Sequence, residues 1–157
     1  MTSQTFGTGE ASILVVRRTI RAPRERVFAA WTEARHLIAW WGPNAAVTCP
    51  SAEIDLRVGG RYRIANRFPD GRLLWILGEF EVVDSPSRLV FSWQLGTQAA
   101  RAERVSVEFE AYGAATEVIV THERITDAAT RAGHEQGWVG CLEGLAHYAE
   151  SPAGVLI

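Results

Sequence analysis

The chain has 157 residues, 47% of them apolar, and a net charge of -2. That length fits one domain with a core of its own and needs no disulfide or metal staple. The near-neutral charge excludes the basic face of a general nucleic-acid binder, and no stretch reaches the ~18 consecutive apolar residues of a membrane span.

All 16 basic residues are arginine, scattered along the chain. Cys49 and Cys141 lie far apart in apolar stretches, where cysteine behaves as a small hydrophobe, and they form neither a metal motif nor a disulfide framework. The polar opening "MTSQTFGTGE" lacks the order of a signal peptide. A cytoplasmic location is therefore expected.

Residues 1–11 read as a disordered tail, 12–150 as one domain and 151–157 as a short tail. "SILVVRRTI" is β-branched and predicts a strand. "RAPRERVFAAWTEA" then switches to helical spacing, with Pro23 suited to a first turn and Val27, Phe28 and Trp31 on one face. "RHLIAWWGP" predicts a second short helix, capped by Thr32 and stopped at Gly42-Pro43.

From Ala45 to His122 the sequence reads as strands. Val58-Gly59-Gly60 marks a hairpin corner, Pro69-Asp70-Gly71 a turn, and Gly78 a bulge or bend within a long fourth strand. "GTQAARA" is a loop. Asp127 or Thr130 caps a final long helix ending before Ser151-Pro152. The expected order is strand, two short helices, about six antiparallel strands and a long C-terminal helix that covers the apolar face of the sheet.

Alternation assigns inward faces. Tyr62, Ile64 and Asn66 share one in the third strand, and Leu74, Ile76, Phe80 and Val82 in the fourth, with Glu79 and Glu81 opposite. Leu89, Phe91 and Trp93 share one in the fifth, Val105, Val107 and Phe109 in the sixth, and Val118, Val120 and His122 in the seventh. His122 and Asn66 are thus polar residues pointed inward. Glu53, Asp55 and Arg57 form a solvated face with a cross-strand pair.

The last helix, "GHEQGWVGCLEGLAHYAE", carries Gly133, Gly137, Gly140 and Gly144. Each interior glycine costs a helix about 1 kcal/mol relative to alanine. A phosphate cradle would place its glycines before the helix N-terminus, and a membrane seam needs an apolar segment that Gln136, Glu143 and Glu150 interrupt. At about 100° per residue the four form one stripe beside an apolar face of Trp138, Cys141, Leu142, Leu145 and Ala149. The stripe is expected to let a strand edge or the Trp40-Trp41 segment pack close, or to widen a cavity mouth.

Five segments in order carry a family resemblance, from about Val16 to Tyr148. They are "RTIRAPRERVFAAWTEARHLIAWWGP", "EIDLRVGGRYRI", "GEFEVVDSPSRLVFSW", "TEVIVTHERI" and "HEQGWVGCLEGLAHY". The chain resembles the SRPBCC (START-like, polyketide-cyclase-like) superfamily and, within it, the heat-shock protein 90 ATPase activator-like branch. The resemblance implies an α+β helix-grip fold: a curved antiparallel sheet wraps the C-terminal helix, with a cavity between them that often holds a hydrophobic ligand.

No serine sits in a Gly-x-Ser-x-Gly elbow, and Cys141 is placed to fill space mid-helix. No histidines or cysteines stand at a recognised metal-ligand spacing, so neither a metal nor a cofactor is expected. His122 is the best acid–base candidate, with Glu79, Glu53 and Asp55 as partners.

The expected lining of an apolar ligand pocket is Trp138, Phe80, Trp93 and His122, followed by Tyr62 and Leu145. Three functions compete. The first is binding of a small hydrophobic or aromatic molecule. The second is a cyclase- or hydrolase-like enzyme using His122, for which the test is a carboxylate within hydrogen-bond reach. The third, implied by the resemblance, is a chaperone-stimulating module. A strand edge and arginine-rich strand faces also allow a homodimer.

Overall fold

The structure is a computed structural model, and it describes residues 12–96 and 102–151. The element order is β1 (Ile13–Ile20), α1 (Arg24–Thr32), α2 (Ala34–Trp40), β2 (Ala52–Ile54), β3 (Arg61–Arg67), β4 (Leu73–Asp84), β5 (Arg88–Leu95), β6 (Glu103–Tyr112), β7 (Ala115–Glu123) and α3 (Ala128–Glu150). Seven antiparallel strands form one curved sheet in the order β1-β7-β6-β5-β4-β3-β2. Strands β2 to β7 meander, and β1 closes back beside β7, pairing Leu14 with His122 and Val16 with Val120. The predicted tail 1–11, most of the loop "GTQAARA" and the end of the chain lie outside the described residues.

The inward faces follow the alternation in four strands. Val105, Val107, Val118, Val120 and His122 are fully buried, and Tyr62, Ile64, Asn66, Leu89, Phe91 and Trp93 nearly so. In β4 the pattern breaks. The register with β5 shifts between Phe80 and Val82, so an extra residue turns the chain over, and Val83 rather than Val82 packs against the core. Gly78 is not the bulge. A Cβ there would lie 1.9 Å from the Ser92 carbonyl oxygen and 2.5 Å from the Tyr62 ring. The glycine makes room for Tyr62 to donate its hydroxyl to that carbonyl at 2.6 Å.

The helix ends are set by local chemistry. The Pro23 carbonyl accepts from the amides of Arg26 and Val27 and starts α1. Thr32 does not cap α2. It is the last residue of α1, and its hydroxyl donates back to the Phe28 carbonyl one turn earlier, at 2.8 Å. Asp127 caps α3, its carboxylate accepting from the Thr130 amide at 2.7 Å and the Thr130 hydroxyl at 3.0 Å. These bonds to the charged form lower its pKa.

The apolar face of α3 seats Trp138, Cys141, Leu142, Leu145 and Ala149 in the core. The glycine stripe divides. A Cβ on Gly140 would lie 1.8 Å from the Pro43 carbonyl oxygen, and one on Gly144 2.8 Å from that of Trp40. The Trp40–Pro43 backbone therefore lies directly on the helix. Gly133 has nothing within 4 Å and Gly137 only the Pro43 Cβ at 3.9 Å. Among the described residues no helix is long and apolar enough to cross a membrane.

Candidate functional site

Five of the six tryptophans converge where α3 meets the sheet. Helical spacing in α1 points Trp31 inward, the turn after α2 delivers Trp41, alternation in β5 gives Trp93, and the α3 face gives Trp138. Trp31 stacks on Trp138 at 5.9 Å, and Trp93 meets Trp138 at 5.2 Å and Trp41 at 6.3 Å. Two spaces flank this cluster, and Trp41 and Trp93 line both.

On one side Tyr62, Ile64, Phe80 and Phe91 enclose only about 20 Å³, close to the minimum for one water. On the other, a cleft of about 190 Å³ opens between Phe68, Leu74 and Leu95 on the sheet side and Gly133, His134, Gly137 and Trp138 on α3. That exceeds the ~150 Å³ of an apolar cavity that admits benzene.

Two donors stand among these apolar walls. The Trp93 Nε1–H is buried and has no hydrogen-bond partner among the described residues. Asn66 spends its Oδ1 on the Trp41 indole N–H at 3.0 Å. Its amide N–H groups remain, on a residue that lines the cleft.

A polar network borders the cleft. Glu103 Oε1 lies 2.6 Å from His122 Nε2 and 2.9 Å from His134 Nε2, and Trp138 Nε1 lies 2.9 Å from His122 Nδ1. The imidazoles stack at 4.3 Å, 15° from parallel. Proton positions follow from the donors. Trp138 can only donate, so His122 Nδ1 accepts and its proton sits on Nε2, donated to Glu103.

Burial alone would raise the Glu103 pKa. The hydrogen bonds and charge of the two histidines outweigh it and hold the carboxyl at about 2. An ionised carboxylate only accepts, so His134 also gives its Nε2–H to it, and the neutral form of that ring has its lone pair on Nδ1. Burial is the largest influence on the His122 pKa and lowers it, and His134 adds to the depression, so the net shift is downward although Glu103 opposes it. An imidazolium there would also turn a second N–H against the Trp138 N–H.

By identity, Glu103, His122 and His134 form a donor set for a cation, their ligand atoms all within 4.8 Å. The proton placement opposes that use. A metal-bound imidazole donates its far N–H to an acceptor, whereas the far nitrogen of His122 faces a donor. The network fits a hydrogen-bonded cluster.

The expected pocket residues separate in space. Trp138 and Trp93 line the cleft, and Phe80 and Tyr62 line the small cavity with Trp93. His122 and Leu145 are completely buried and lie in the lining of neither. A carboxylate does reach His122, but it is Glu103. Glu53 pairs across strands with Arg63 at 3.6 Å, Asp55 pairs with Arg57 at 3.0 Å, and Glu79 is exposed on the outer face.

Cys141 borders the cleft, and burial lifts its thiol to about 12, leaving it neutral. Glu103 escaped the sequence reading, and His134 was passed over there in favour of His122, although both carried a signal. Glu103 continues the inward face of β6 two residues before Val105, and His134 falls on the α3 wheel between Cys141 and Leu145.

An antiparallel sheet gripping a long C-terminal helix, with an aromatic cleft along the first half of that helix, defines an α+β helix-grip domain. The family model described as Activator of Hsp90 ATPase homolog 1-like protein matches residues 21–150, and the chain belongs to that family. Among solved structures it is similar to the AHSA1-like protein from Aeromonas hydrophila, with 26% identity and a TM-score of 0.76 over 90% of this chain and 95% of that one. A protein from Chromobacterium violaceum shares the fold at 22% identity and a TM-score of 0.80, covering 89% and 98%. So does DynU16, a protein of the dynemicin biosynthetic locus, at 22% identity and a TM-score of 0.74, covering 89% of this chain and 48% of that one. No curated protein matches the chain.

Proposed function

We infer that the protein binds a small aromatic molecule carrying a hydrogen-bond acceptor in the cleft between β3–β5 and α3. The observation that carries this reading is Trp93, which lines that cleft and whose indole N–H is buried without a partner among the described residues. A buried unsatisfied donor costs about 1–3 kcal/mol, and a ligand oxygen would recover it. Trp41, Trp138 and Phe68 offer ring faces and edges, and the Asn66 amide adds a second donor. Occurrence of one fold relative in a biosynthetic locus is consistent with this reading.

Calorimetric titration with 2-acetylnaphthalene and with naphthalene tests it. The ketone is expected to bind more tightly, and Trp93→Phe to weaken the ketone about tenfold, the equivalent of one hydrogen bond, while leaving naphthalene unchanged. Failure of both compounds to bind would sink the reading.

Glu103 at 2.6 Å from His122 favours a second reading, chemistry at the same place. It cannot run through His122, whose two ring nitrogens are both engaged.

A further inference from the structure

The group free to act is His134. It lines the cleft. Its Nε2–H is held by Glu103 at 2.9 Å, and its Nδ1 has no hydrogen bond to any described residue. Resting on the cleft as the ligand site, we propose that His134 is a proton acceptor: Glu103 fixes its tautomer, and the Nδ1 lone pair takes the proton of an acidic hydroxyl, a phenol or an enol, on the bound molecule. In the step the ligand O–H bond breaks, its electron pair stays on oxygen, and an N–H bond forms at Nδ1. The positive charge so formed on the ring lies against the Glu103 carboxylate, and the proton returns by the reverse path.

The rest of the network suits this step. A carboxylate behind an imidazole both orients the ring and stabilises its protonated form. Two stacked histidines 4.3 Å apart would ordinarily repel once charged. Here Trp138 donates to His122 Nδ1 and keeps that ring neutral, so a single proton has a single destination. His122 and Glu103 are positioning residues, and His134 is the one that meets the ligand. The other titratable group lining the cleft, Cys141, is a neutral thiol and does not compete. The Trp93 ring lies edge-on to His134 at 6.2 Å and walls the same cleft.

Two measurements decide the proposal. In the free protein, nitrogen NMR of the imidazoles should show His134 protonated on Nε2 with a bare Nδ1, and the opposite tautomer would overturn it. Then 4-nitrophenol is titrated in at a pH below the free phenol's own pKa, with the phenolate absorbance as readout. Binding should raise the phenolate-to-phenol ratio about tenfold, the effect of a one-unit pKa shift. Glu103→Gln should return the ratio to its free-solution value while the probe still binds. His134→Gln, at a partly exposed side chain, gives the same outcome if the first variant does not fold. Binding as the neutral phenol overturns the proton transfer and leaves the cleft reading standing. No binding, by calorimetry, overturns both.

Discussion

The two halves of α3 use glycine for opposite ends. In the second half, Gly140 and Gly144 remove side chains so that the backbone from Trp40 to Pro43 can lie on the helix. In the first half, Gly133 and Gly137 meet almost nothing and border the cleft. The same loss of helix propensity is offset by close packing in one half and left as open space in the other. Trp138 stands between the halves, closing the core below and walling the cleft above. The sealed half holds Trp41 in place, and Trp41 is a wall of the space that the open half leaves.

The strongest way to break this comparison is Gly140→Ala. Its Cβ would sit 1.8 Å from a backbone oxygen, which no rotamer change relieves. The helix gains about 1 kcal/mol from alanine, yet the Pro43 segment must move away. A net loss of about 3 kcal/mol is expected, read as a lower urea midpoint. Ligand affinity should fall with it, because Trp41 and Pro43 line the cleft. A stabilised Gly140→Ala protein would mean that the stripe is the same throughout.

Next in size is the network that ties Trp138 to the sheet. His122→Leu leaves the Trp138 N–H and one Glu103 contact without partners, a loss of about 2 kcal/mol. The same histidine sets an acid limit. Its folded pKa is depressed from 6.5, so the unfolded chain takes up the proton first. Its contribution is complete above pH 6.5 and is lost as pH falls from there through the depressed folded value. The Glu103 contribution is lost lower, between its ordinary 4.5 and its folded value of about 2. Urea denaturation across pH should show the wild type losing stability in the upper window and His122→Leu losing much less there.

Much of this was legible in the sequence, for physical reasons that vary by residue. Period-two alternation located Trp93, His122 and the core of β5 to β7, since a strand's side chains cannot choose their side independently. It failed at Val82 because a bulge inserts one residue, and no residue type marked that site. The capping reading held at Asp127, where a short acidic side chain precedes the amide it accepts. It failed at Thr32 because its hydroxyl had a closer acceptor in its own helix. The meeting of Glu103, His122 and His134 depends on how α3 lies across β6 and β7. Each residue's facing was written in its own element, but their convergence was not.

The smallest effect sharpens the comparison from its open end. Gly133 is exposed, lies several residues inside α3, and would place a new Cβ in empty space. Alanine there shortens the list of unfolded conformations and adds a better helix former, so Gly133→Ala should raise stability by about 0.5–1 kcal/mol. The same melts that show Gly140→Ala falling should show Gly133→Ala rising, with Gly137→Ala on its side, since the nearest atom at 3.9 Å is an ordinary contact. Opposite signs from one substitution, seven positions apart on one stripe of one helix, would isolate backbone approach as the cause. Helix propensity is common to the two sites and cannot produce a difference between them. If Gly133→Ala were neutral or destabilising, the space at the head of α3 would have to be filled by something that the described residues do not supply.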